Sequence, residues 1–252
     1  AHGRATSTSR EEATGSATHD FEGPLVMVDP TDPGRNVAAV CTAENVARLQ
    51  HYARELLAVP RVDLFEPSDP EALDPADVRA AFDRRGTTPV TLVFATPDLV
   101  DDDLYPQLEK SLEGVVGLLD RRGFDVLRSA TMADDERAVV LAELSVAERP
   151  AIERHEGPPV HVREHATGFF ERYDGRAIAG PFVDGDRYVV ERERAFTTAA
   201  QLLDSDALFD VGHGAAVEAA LDDGYTVRAG AEVAPLAERF GVALARYLDP
   251  VP

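Results

Sequence analysis

The stretch PVTLVFATPDLVDDDLYPQLEKSLEGVVGLLDRRGFDVLRSATM, residues 89–132, changes its hydrophobic period twice, and that change decides the fold. Residues 89–95 are an unbroken apolar run, short enough for a buried strand. Residues 101–123 then place Leu104, Leu108, Leu112, Val115, Val116 and Leu119 on one face of a long helix. The strand pattern returns over 124–132. RAVVLAELSV (137–146) follows after the acidic turn ADDE, which predicts a hairpin.

Working outward, VHVREHATGFFERY (160–173) predicts a helix with Val162, Ala166, Phe169, Phe170 and Tyr173 facing inward, and RYVVERER (187–194) predicts the last strand. The order β-α-β-β-α-β is a split βαβ domain, ferredoxin-like and shared with ribonucleoprotein-type (RNP-like) RNA binders, so the expected class is α+β with flanking helical segments. Upstream, PLVMV (24–28) reads as a short strand and DPTDPGRN (29–36) as a turn. Residues 42–59 read as a helix capped by Thr42. Residues 74–86 read as a second, with Asp74 as cap, Pro75 at the first position and Gly86 as stop. Short Ala-rich helices follow residue 196, including LAERFGVALARYL (236–248). The expected organisation is an arm or linker over 1–23, the end of a central domain with two helices over 24–86, the RNP-like domain over 87–195, and a C-terminal helical segment over 196–252.

At 252 residues the chain can bury a sizeable core. No apolar run approaches a membrane span, and the N-terminus has no signal-peptide core, so a cytoplasmic location is the default expectation. The first residue is Ala rather than Met, which suggests a piece of a longer protein. Cys41 is the single cysteine, so any metal site would use His and carboxylates alone. Acids number 46 against 25 bases, for a net charge of -21, and Lys110 is the one lysine. Loss of lysine with arginine retained points to adaptation to molar salt. There the Debye length shrinks to about 3 Å, so acidity does not exclude a nucleic-acid partner.

Three groups of residues carry candidate chemistry. His161, Glu164 and His165 stand in the H-x-x-E-H spacing of inverted zinc peptidases. In a Glu-rich chain with seven histidines the pattern arises by chance. Its face lies beside and opposite the inward stripe of the helix, so a solvated face is expected and no metal is assigned. Asp101, Asp102 and Asp103 open the long helix, where they cap free N–H groups and complement its dipole. The arginines remain. Arg35 with Asn36, Arg128, Arg149, Arg154, Arg163, Arg192 and Arg194 are the candidates to grip RNA, Arg128 being the sharpest because strand alternation puts it with Phe124, Val126 and Ala130. The strands carry Val, Leu and Ala where a base-stacking sheet has aromatics, so a shape-based grip on helical RNA is expected.

VDPTDPGRNVAAV (28–40), ENVARLQHYARELLAVP (44–60), PDLVDDDLYPQLEK (97–110), GFDVLRSA (123–130), HEGPP (155–159) and ERAFTT (193–198), in this order, resemble the archaeal, class I CCA-adding tRNA nucleotidyltransferases. The resemblance covers most of residues 24–205. It implies the C-terminal half of an enzyme that adds CCA to tRNA 3′ ends from CTP and ATP, this half gripping the acceptor stem and T arm, with a homodimer plausible from the family and the C-terminal apolar helix. It also implies a catalytic head with a Gly-Ser pair and a D-x-D carboxylate pair holding magnesium. Gly15 and Ser16 stand without such a pair, and Asp29 and Asp32 are D-x-x-D, so no catalytic residue is expected in this chain. A base-reading arginine precedes VMVDP in the family, with Arg4 and Arg10 as the choices here. Ala95 and Thr96 replace basic residues common before the Pro-Asp. The competing readings are a stand-alone RNA-binding module and a zinc hydrolase.

Overall fold

The structure, a computed structural model, describes residues 21, 23–66 and 68–252. Arg4, Arg10, Gly15, Ser16 and most of the expected arm lie outside the described residues. The chain divides into two compact units, 1–68 with residue 252, and 69–251.

In the smaller unit the expected strand at 24–28 reduces to one bridge, Val28 with Asn36. The turn between them is held by Asp29, whose Oδ1 accepts from the Thr31 N–H at 2.8 Å and hydroxyl at 2.7 Å. Helix α1 (Ala43–Ala58) starts where its Thr42 cap accepts from the Asn45 N–H. None of its residues is buried, and Leu49 and Leu57 are 63% and 85% exposed.

The larger unit opens with α2 (Pro75–Arg85), bounded as its sequence dictates: Asp74 and Asp77 form a capping box, and Gly86 ends the helix at φ 64°. Strand β1 (Thr88–Ala95), helix α3 (Asp101–Arg121) and the hairpin β2 (Val126–Ala133) and β3 (Arg137–Leu144) follow the expected order. Next comes a separate layer of β4 (Ile152–Pro159), α4 (Arg163–Tyr173), β5 (Ala179–Asp184) and β6 (Arg187–Glu193). Then come α5 (Ala199–Leu203), α6 (Ala215–Asp223), β7 (Tyr225–Ala229) and α7 (Ala237–Leu248).

The main sheet has the order β2-β3-β1-β7, antiparallel throughout, which is the split βαβ topology. Its closing strand is Tyr225–Ala229 and not 187–194. That segment is a strand, but it is the centre of the three-stranded sheet β4-β6-β5, packed with α4 between β3 and α5. The second helical element of the split unit comes from α5 and α6, which pack beside α3 on one core of Leu92, Phe94, Leu108, Leu119, Leu202 and Val217. On the opposite face α2 and α7 cover Val93, Val139 and Leu141 with Val78, Phe82 and Leu244.

Burial on both faces explains why β1 and β3 read as continuous apolar runs rather than alternating ones. It also closes the face on which an RNP-like sheet would stack bases. The apolar stripe of α7, read in sequence as a candidate dimer face, is spent inside one chain: Phe240, Leu244 and Tyr247 are buried in that core. Helix α2, grouped by sequence with the preceding segment, belongs to this unit through the same core. No helix among the described residues is long and apolar enough to cross a membrane.

Candidate nucleic-acid interface

Strand register decides which arginines are free. Arg192 lies directly opposite Glu153 across β4 and β6, and the two pair at 2.8 Å; Arg194 reaches the same carboxylate at 3.4 Å and the Pro150 carbonyl at 2.9 Å. Arg154 pairs with Asp184 at 2.6 Å and Glu156 at 3.5 Å. Such partly exposed pairs are worth no more than about 1 kcal/mol each, yet they neutralise the cations. In the smaller unit Asn36 spends its amide on the turn, accepting from the Met27 and Ala38 N–H groups and donating to the Leu25 carbonyl. Arg35 remains 68% exposed, 3.7 Å from Asp29.

Arg128 is placed differently from the alternation argument. A bulge between Val126 and Arg128 breaks the register. Val126 therefore packs toward α3, while Ala130 and Met132 pack toward α7. The Arg128 guanidinium follows the latter face, lies 4.5 Å over the Tyr247 ring and donates to the Tyr247 carbonyl. It ties α7 to the edge strand.

Three of the singled-out arginines make no ion pair among the described residues: Arg128, which is spent on Tyr247, and Arg149 and Arg163. Arg163 opens α4 and lines a cavity of about 410 Å³ with Val160, Phe170 and Tyr188, whose rings are 5.4 Å apart. Arg149 lies against the turn after α3, beside Gly123, and its backbone N–H donates to the Thr197 carbonyl at 2.8 Å. The residue before that glycine, Arg122, is exposed, lies 5.7 Å over the Phe196 ring and makes no ion pair among the described residues; sequence reasoning did not single it out. Its signal was the run DRRG (120–123), two arginines at a helix end followed by the glycine stop. The result is a cationic corner where the chain enters and leaves the three-stranded sheet.

The other polar groups are accounted for by structure. His161 precedes α4, whose N-cap is Val162, so the two imidazoles of H-x-x-E-H never share a helix; all three residues are exposed. Among the described residues no three His, Cys, Asp or Glu are arranged to hold a metal ion. Asp101, Asp102 and Asp103 occupy the first turn of α3, as expected for the dipole, but its cap is Val100 with no side-chain cap bond, so they act by charge alone. Glu143 is fully buried and receives Arg85, the Thr87 hydroxyl at 2.5 Å and the Tyr247 hydroxyl at 2.9 Å. Burial pushes its carboxyl up, but these hydrogen bonds and the Arg85 charge outweigh it and hold the group below its ordinary value. Burial and the Glu143 bond push the Tyr247 phenol well above its own. His155 packs against Phe169 and Tyr173, and burial, then the Arg192 charge, keeps its imidazole below the usual range.

Comparison with known proteins follows the same two-part division. A family model described as the C-terminal domain of the CCA-adding enzyme matches residues 85–230, and one described as the second domain of tRNA nucleotidyltransferase matches residues 4–66. Curated relatives named CCA-adding enzyme include that of Haloarcula marismortui, 59% identical over 92% of this chain and 53% of its own length. That of Halorubrum lacusprofundi is 56% identical over 94% of this chain and 54% of its length, and that of Methanosarcina mazei 35% identical over 89% and 50%. The chain spans about half the length of the curated relatives it matches.

Proposed function

Because the chain belongs to the CCA-adding enzyme family, we propose that it is the C-terminal, tRNA-binding half of a tRNA nucleotidyltransferase that builds or repairs the 3′-terminal CCA from CTP and ATP. The observation that carries this reading is the ordered match of two family models, second domain then C-terminal domain, on a chain half as long as its relatives. In this reading nucleotide transfer, its catalytic carboxylates and its magnesium belong to polypeptide outside this chain.

This half grips the acceptor stem and T arm by backbone and shape. Both faces of the main sheet are covered, so stacking of single-stranded bases on it has no surface to use. Arg163, which makes no ion pair among the described residues, and exposed Arg35 are phosphate contacts we assign to it. The protein works in the cytoplasm, where immature tRNA is processed. The proposal extends to a homodimer, which sedimentation in molar salt registers as twice the chain's 27.2 kDa.

The test is a titration of the 252-residue chain in molar potassium chloride with tRNA lacking its CCA end, against an unstructured RNA of equal length. Selective binding of tRNA supports the reading. Equal, weak binding of both RNAs overturns it.

A further inference from the structure

We infer that Arg149 and Arg122, seated on Gly123 and Phe196 at the C-terminal end of α3, bind a phosphodiester phosphate of RNA; this rests on the tRNA-binding reading and adds a defined site to it. The first observation is an unmet donor. The Arg149 Nε is buried and has no hydrogen-bond partner among the described residues, and no carboxylate pairs with its guanidinium. A buried N–H left without an acceptor is costly, and more so on a charged group.

The local acceptors are already taken. At the end of α3 the Leu118, Leu119 and Asp120 carbonyls accept from the backbone N–H groups of Arg122, Phe124 and Gly123. The nearby carboxylates are turned away: Asp120 accepts from the Val126 N–H at 2.8 Å, and Asp125 from the Ser145 hydroxyl at 3.2 Å. Attraction to the negative helix end explains why cations gather here. It gives the buried N–H no partner.

The second observation is that the guanidinium is seated rather than free. A Cβ at residue 123 would lie 3.0 Å from the Arg149 Cζ and 3.1 Å from its Nη2. Gly123 is also at φ 79°, so glycine serves both the left-handed turn and the space for the guanidinium. Arg122 lies 5.7 Å over the Phe196 ring, which steadies a second cation on the same turn without neutralising it. The closed-in Nε shows that no protein acceptor neutralises Arg149, and the Nη groups of Arg149 with the fork of Arg122 are the donors left for the oxygens of a phosphate. The open, exposed placement of Arg122 suits a polymer backbone passing the corner rather than an enclosed nucleotide.

The test measures the affinity of the 252-residue chain for tRNA lacking its CCA end across a potassium chloride series. It uses wild type, Arg149→Ala, Arg149→Lys, Arg122→Ala, and Arg239→Ala as the charge-matched control whose side chain Asp134 and Glu136 already engage. Arg149→Ala and Arg122→Ala should each lose about tenfold in affinity and reduce the log–log salt slope by about one. Arg149→Lys should recover the slope and only part of the affinity, and Arg239→Ala should change neither. Thermal melting monitors folding; if Arg149→Ala unfolds, the exposed Arg122→Ala decides. Wild-type binding with unchanged affinity and slope in both alanine variants overturns the site and leaves the functional reading standing. Failure of wild type to select tRNA overturns the reading and the site together.

Discussion

Arg85 grips Glu143 with both Nε and Nη2, at 2.5 and 3.0 Å, although Glu143 is fully buried within β3. The pair joins α2 to the centre of the main sheet, and Tyr247 on α7 completes it. Removing one partner of a buried pair leaves the other uncompensated, so Arg85→Ala should cost about 3 kcal/mol or more. Because the Glu143 carboxyl is held below its ordinary 4.5, its contribution to stability is complete above that pH and is lost as the pH falls through the lowered value. In Arg85→Ala the loss should begin at higher pH. Melting curves between neutral and acid pH, in molar salt, check both statements.

Arg128 has a structural task that separates it from the arginines proposed to contact RNA. Arg128→Ala removes the cation–π contact and the bond to the Tyr247 carbonyl, and should cost about 1–2 kcal/mol by loosening α7. The salt slope of tRNA binding should stay at its wild-type value. A lower slope with unchanged melting would place Arg128 at the interface instead.

The contrast between Arg128 and Arg149 shows what the sequence could and could not reveal. Local signals were sufficient for α2, whose Asp74, Pro75 and Gly86 mark both ends, and for β1 and α3, whose periods are unambiguous. Partnership between strands was not local. Residues 187–193 have a strand pattern, but only the fold decides that they pair with β4, a segment with a glycine and two prolines that hides its own pattern, and not with β1. The closing strand β7 is five residues long among alanines and aspartates, too short to assert a period. For the candidate site, the sequence offers the residue type alone. Which arginines are neutralised depends on cross-strand register, as with Glu153 and Arg192, and a one-residue bulge redirected Arg128.

His155 gives the three-stranded sheet its own pH dependence. Burial first, and the Arg192 charge second, hold its pKa below the ordinary 6.5, so the unfolded chain binds the proton better. The stability of this layer is therefore complete above about pH 6.5 and declines as the pH falls toward the lowered value. Nuclear magnetic resonance titration of the His155 ring should give a midpoint below that of a free imidazole. Amide exchange in β4 and β6 should quicken over the same interval while exchange in β1 stays slow. A midpoint at or above 6.5 would contradict the packing against Phe169 and Tyr173.

Closure of the split βαβ unit depends on how closely the loop before α6 approaches α3. A Cβ at Gly114 would lie 2.3 Å from the Gly212 carbonyl oxygen, and one at Gly214 would lie 2.4 Å from the Gln107 Cβ. The contact is also bonded: Ser111 accepts from the Gly214 N–H at 3.0 Å, and Gln107 from the Ala216 N–H at 2.7 Å. Backbone is therefore laid directly on helix, and the obstructing atoms are main chain that cannot swing aside. Gly114→Ala should destabilise by about 1–3 kcal/mol through overpacking, even though alanine is the better helix former. The matched control is Gly168→Ala in α4, where an added Cβ meets nothing within 4 Å; it should stabilise by about 0.5–1 kcal/mol. Denaturant unfolding of both variants in molar salt decides the matter, because propensity alone gives the two substitutions the same sign and only the close approach of 212–214 gives them opposite ones.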